Sequence, residues 1–99
     1  MIGARGIALP ARVPEPFYNE QGYTALQWFN NPAAAVALFR RNVELYPESA
    51  NVYDSLGDAL LARGDKAGAR MQFAKAVELA EKTGHSVLSE SRRKLEMLK

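Results

Sequence analysis

Three residue pairs with one common separation constrain this chain more than any other feature. Asn31 and Asp65, Ala35 and Ala69, and Phe39 and Phe73 each stand thirty-four residues apart. A period of that size, carried by a turn-former, a small residue and an aromatic, marks one supersecondary unit used twice. The segments around the pairs have a helical period. Phe17, Tyr18, Tyr23, Leu26 and Trp28/Phe29 predict an amphipathic helix over 17–29. Ala35, Val36, Phe39, Val43 and Tyr46 predict another over 32–46, and Val52, Tyr53, Leu56, Leu60 and Leu61 a third over 49–63. Ala69, Phe73, Ala76, Val77 and Ala80 place a fourth over 66–82, and Val87, Leu88, Ser91, Leu95 and Leu98 a fifth over 85–99. No segment alternates as a strand does.

The punctuation agrees with the period. Asn31 is a good N-cap, and Pro32 follows at the first helical position, where its missing N–H costs nothing. Pro47 closes the second helix, and Ser49 opens the third. Gly64 suits a left-handed C-terminal cap, Asp65 caps the next helix, and Gly84 breaks the fourth. Arg63-Gly64-Asp65 also spells an integrin-ligand tripeptide, but here it reads as the turn between two helices. Residues 1–16 hold Gly3, Gly6, Pro10, Pro14 and Pro16 without any period, which predicts an extended arm or linker remnant. The expected fold is therefore all-α: antiparallel helix hairpins, two repeats plus a C-terminal capping helix, forming one domain over 17–99.

Charge and composition remove several functions. Thirteen Lys/Arg against eleven Asp/Glu leave a net charge of +2. No basic stripe interleaved with aromatics appears, so a nucleic-acid partner is not expected; Arg92-Arg93-Lys94 is the densest basic cluster. The chain has no cysteine, which removes disulfides, thiolate metal sites and cysteine nucleophiles. No apolar run reaches the length of a signal-peptide core or a membrane span, so no membrane partner is expected and a cytoplasmic location is the default.

The second helix pair carries a specific resemblance. Tyr53, Leu56, Gly57 and Leu60, followed by Ala69, Phe73 and Ala76, fill the W-x₂-L-G-x₂-Y…A-x₃-F pattern of the tetratricopeptide repeat, with Tyr53 in the Trp place and Leu60 in the Tyr place. Over roughly residues 17–99 the chain resembles that family. The string "NEQGYTAL…AVALFRRNVELYPESANVYDSLGDALLARGDKAGA" is similar, more narrowly, to repeat modules at the C-termini of bacterial serine hydrolases of the beta-lactamase-like and esterase type. Two departures stand out. Gly22 precedes Gly57 by thirty-five residues, so the first internal turn has one extra residue, and the second repeat lacks the closing proline. Two repeats are also fewer than the three such arrays usually need. The deficit calls for a third element: the arm on the first helix, a homodimer, or an attached domain.

Catalysis is not expected from these residues. There is no G-x-S-x-G elbow, and the single histidine, His85, opens the last helix. Ser55 adjoins Asp54 in sequence, and adjacent helical side chains do not face each other. Asp54 and Asp58 share a face and offer a place for a cation or a proton, though two carboxylates alone make a poor metal site. No cofactor or metal is expected. The resemblance implies instead that the first helix of each pair lines a concave surface. Its non-core positions are then Asn51, Asp54, Ser55 and Asp58 in the second repeat, and Asn19, Glu20, Tyr23 and Gln27 in the first. Ser89 and Arg92 join from the last helix. Such a surface suits an extended peptide carrying Lys or Arg, and the expected function is a non-catalytic protein–protein interaction module. The alternative is an accessory domain that positions or dimerises an attached serine hydrolase. A second alternative is that the polar face of 51–58 is only a solvated helix surface.

Overall fold

The computed structural model describes residues 14–98, and every regular element in them is a helix. α1 spans Glu15–Gln27, α2 Pro32–Leu45, α3 Ala50–Ala62, α4 Lys66–Thr83 and α5 Leu88–Met97. α1 packs on α2, α2 on α3, α3 on α4 and α4 on α5, and α1 also touches α3. The chain is therefore two helix hairpins side by side with a fifth helix laid against the second.

Local chemistry sets the ends. The Asn31 side chain accepts the Ala34 N–H at 3.1 Å, and the Asp65 carboxylate accepts the Gly68 N–H at 2.8 Å, so both hairpin turns are closed by the caps the sequence predicts. Gly64 (φ +93°) and Gly84 (φ +70°) take left-handed conformations that an L side chain resists. α1 begins at Glu15, two residues before the periodicity places it, because Pro16 is compatible with a first helical turn. It also ends earlier, at Gln27. Asn30 turns the chain at φ +46°, and the Asn31 N–H reaches the Ala25 carbonyl at 2.8 Å, leaving Trp28 and Phe29 outside the helix. Of the expected arm, residues 1–13 lie outside the described residues, and Glu15 and Pro16 belong to α1. α5 is shorter than the expected 85–99: the Val87 N–H donates to His85 Nδ1 at 2.9 Å and folds 85–87 into a turn.

One interlock is used twice. Gly22 of α1 lies against the ring of Phe39 of α2, and Gly57 of α3 lies against the ring of Phe73 of α4. A Cβ at either glycine would overlap its phenylalanine, so the absent side chain sets how closely each hairpin closes. Ala35, Val36, Phe39, Leu56, Ala59, Leu60, Ala69 and Phe73 form one continuous core through both hairpins. A smaller cluster of Ala50, Ala80 and Val87, with Leu79 and Leu88 beside it, seats the start of α5. Four residues predicted on apolar stripes, Phe17, Trp28, Phe29 and Leu61, are exposed.

The opposite end is tied by polar groups. Ser49 occupies the N-cap of α3 but makes no capping bond; its hydroxyl donates to Glu15 Oε2 of α1 at 2.9 Å. Asn42, wholly buried in α2, donates to the Glu15 carbonyl at 3.0 Å.

Candidate functional site

Every residue that the sequence places on a binding face belongs to α1, α3 or α5, and none to the hairpin partners α2 and α4. These three helices run parallel and in register, and polar side chains join them. Between α1 and α3, the Ser55 hydroxyl donates to Asn19 Oδ1 at 2.7 Å, and the Tyr23 hydroxyl donates to Asp58 Oδ2 at 2.6 Å. Between α3 and α5, the Ser91 hydroxyl donates to Asp54 Oδ1 at 2.6 Å. The Lys94 ammonium lies 3.0 Å from Asp54 Oδ2 and 3.0 Å from Asp58 Oδ1. It also sits 5.5 Å from the centre of the Phe73 ring, within cation–π range. The Tyr23 ring packs edge-on against Phe39, centroids 5.0 Å apart. Each polar row thus rests on the phenylalanine of the interlock beneath it.

The sequence leaves Asn51, Asp54, Ser55 and Asp58 outside the core. For two of these the structure corrects the expectation. Asp54 is 4% exposed and Ser55 1%, because α1 and α5 close over α3 on either side. Asp58, Tyr23 and Asn19 are half-buried in the same network, and Asn51 is half-buried at the start of α3. The shared face of Asp54 and Asp58 does hold a cation, and that cation is the chain's own Lys94. Arg92 is exposed and pairs with Glu81 of α4 at 2.7 Å. Arg93 pairs with Glu90, so the basic cluster 92–94 is divided among carboxylates. Among the described residues no group of three or more His, Asp or Glu is placed to hold a metal ion, and no helix is long and apolar enough to cross a membrane.

The network alters its own ionisation. Burial, with donation to Asp58 adding to it, holds the Tyr23 phenol well above its usual range. Burial also raises the Asp58 carboxyl, against the hydrogen bonds from Tyr23 and Lys94 that lower it. Burial pulls the Lys94 ammonium down, but its bonds to Asp54 and Asp58 outweigh that and leave it raised. Each of the four groups has a partner within the network. It joins α1, α3 and α5 to one another.

Sequence reasoning missed Lys94 and Ser91 as members of this face. Ser91 is read there as part of an apolar stripe, and Lys94 as part of a basic cluster. The signal was present: Tyr23 and Asp58 are thirty-five residues apart, as are Gly22 and Gly57, and Lys94 follows Asp58 by thirty-six. What remains open is a groove of about 540 Å³ along α1, from Pro16 to Gln27, walled by Phe17, Asn19, Glu20, Tyr23 and Thr24. No model of a known protein family matches the chain, and no curated protein matches it.

Proposed function

We propose that the chain is a non-catalytic protein–protein interaction module of the tetratricopeptide type, in which the face made by α1, α3 and α5 receives an extended peptide or a partner domain. The observation that carries this reading is the duplicated glycine–phenylalanine interlock, Gly22 on Phe39 and Gly57 on Phe73, with helices of like position parallel and in register. That arrangement builds one continuous face from equivalent helices, and face-lining side chains are what repeat arrays use for binding. Because Asp54, Ser55 and Asp58 are engaged with Asn19, Tyr23, Ser91 and Lys94, the ligand-contacting residues shift to the groove on α1. Glu20, Thr24 and Gln27 supply its polar wall, and Phe17 an apolar one. Glu20 keeps the preference for a basic peptide.

A pull-down of Lys/Arg-rich peptides from an array tests this, with Glu20→Lys/Gln27→Lys as the control chain. Both positions are exposed, so the fold is retained while the groove charge reverses. The parent is expected to retain basic peptides that the control loses. Equal retention by both sinks the groove. The closed polar network favours a second reading, in which α3 is a structural strut and the chain positions or dimerises an attached serine hydrolase without binding peptide. In that case neither chain retains any peptide.

A further inference from the structure

The large apolar side chains left exposed among the described residues are concentrated. Trp28, Phe29, Leu61, Met71 and Met97 all lie towards one end of the helices, and only Phe17 lies elsewhere. Asn19–Ser55 with Tyr23–Asp58, and Asp54–Ser91 with Asp58–Lys94, fix α1, α3 and α5 as parallel. The turn after α1, the turn after α3 and the C-terminal end of α5 therefore share that end, with the first turns of α2 and α4 beside them.

Trp28 and Phe29, on the first of these turns, are 80% and 73% exposed. The equivalent turn of the second hairpin carries Arg63, Gly64 and Asp65 and no aromatic. The aromatic turn is longer by one residue, yet it is closed. The Trp28 N–H donates to the Thr24 carbonyl at 2.9 Å, and the Asn31 N–H to the Ala25 carbonyl at 2.8 Å. Aromatics displayed on a closed turn lose little freedom when covered, and Trp is among the side chains that anchor interfaces most strongly. Covering the pair removes roughly 150–250 Å² per ring from water.

The charge beside the pair is positive. Arg63 and Lys66 are exposed on the adjacent turn and form no ion pair among the described residues. Arg70, one helical turn further, donates to the Leu98 carbonyl at 3.1 Å. Of the acids at this end, Asp65 is engaged in capping α4, and Glu96 sits on the last turn of α5, beyond Arg63 and Lys66 in the order of the helices.

We propose that this end of the molecule is a docking surface for an acidic, apolar segment of a partner protein. Its apolar side chains cover Trp28 and Phe29, and its carboxylates meet Arg63 and Lys66. An anionic membrane suits the surface less well, since lipid-binding basic segments gather about four to eight Lys/Arg and this end offers Arg63, Lys66 and Arg70. A symmetric second copy suits it less well too, because the two-fold would bring like cationic turns together. The surface is separate from the α1 groove, so each is tested without the other.

Trp28 is the single tryptophan, and its emission reports directly on the turn. The full chain is titrated with a synthetic amphipathic peptide of leucines and glutamates. Parallel titrations use the same peptide with lysines in place of glutamates, and vesicles containing phosphatidylserine. A saturable blue shift is expected with the glutamate peptide alone. Arg63→Glu/Lys66→Glu and Phe29→Ser are each expected to weaken it by about tenfold or more, the loss of one strong interface contact. Rising salt is expected to weaken it as well. These substitutions are at exposed positions, and an unchanged far-UV circular dichroism spectrum confirms that the fold is intact. An equal response to the lysine peptide overturns the proposal. So does a response to vesicles only, or a shift that follows the chain's own concentration without peptide.

Discussion

A Cβ on Gly57 would lie 2.5 Å from Cε1 of Phe73, and one on Gly22 would meet Phe39 still more closely. Neither ring is free to move, since both phenylalanines are buried at the centre of the hairpin core. Gly57→Ala is therefore expected to lower stability by about 1–3 kcal/mol, the usual cost of overpacking. In urea unfolding followed by circular dichroism, Gly57→Ala/Phe73→Leu should cost less than the sum of the two single changes. Strict additivity would mean the ring is not what the glycine accommodates. Tyr23 makes a second prediction at this scale. Its folded pKa, like that of Lys94, is raised above the ordinary values of 10.0 and 10.5. A raised folded pKa means stability fully present below the unfolded value and lost as pH rises through the folded one. Urea midpoints should thus fall as pH rises from about 9 to about 12. Tyr23→Phe should be less stable at pH 8, by about 1–2 kcal/mol for the lost hydrogen bond to a carboxylate, and should lose part of the alkaline slope. An unchanged slope in that variant would place the pH dependence elsewhere.

At the scale of the helix, sequence and structure agree where short-range rules operate and part where a distant neighbour decides. Asn31 and Asp65 cap as read, because an N-cap needs only its own next three residues. Asn31→Ala and Asp65→Ala should each cost about 1 kcal/mol, measured as lower thermal midpoints. Ser49 was legible as an N-cap position but not in its bonding: its hydroxyl goes to Glu15, thirty-four residues away, on a helix that periodicity starts only at residue 17. The all-α class and the five helices were legible from spacing; that Gly22 meets Phe39 as Gly57 meets Phe73 was not read there. The burial of Asp54 and Ser55 was not. A hydropathy pattern assigns Asp and Ser to water, and only the arrival of α1 and α5 on either side of α3 supplies partners that make burial tolerable. Trp28 and Phe29 mislead in the opposite sense. They fit the helical period, but Asn30 turns the chain and carries both into solvent.

For the molecule as a whole, Lys94 is where α5, α3 and the second phenylalanine meet. Lys94→Met should destabilise by about 3 kcal/mol, because it leaves Asp54 buried without its cation. That is a large share of the roughly 5–15 kcal/mol available to a chain of this size. Adding Asp54→Asn and Asp58→Asn to Lys94→Met should recover part of the loss, since the penalty comes from unpaired charge. Chemical denaturation of the single and triple variants checks this, and a triple variant no more stable than the single one would show that packing of the lysine stem dominates.

The order of side chains across that face has a further effect on how such a molecule can grow. Tyr23, Asp58 and Lys94 are three different groups at equivalent places, and the middle one serves both neighbours. A tandem copy of the second hairpin would put aspartate against aspartate, two acidic side chains with neither a phenol nor an ammonium between them. Gene duplication, the simplest way to lengthen a periodic chain, is thus penalised here by chemistry rather than by shape. Each unit of the face is chemically distinct from its neighbour, so an identical copy does not fit beside its original.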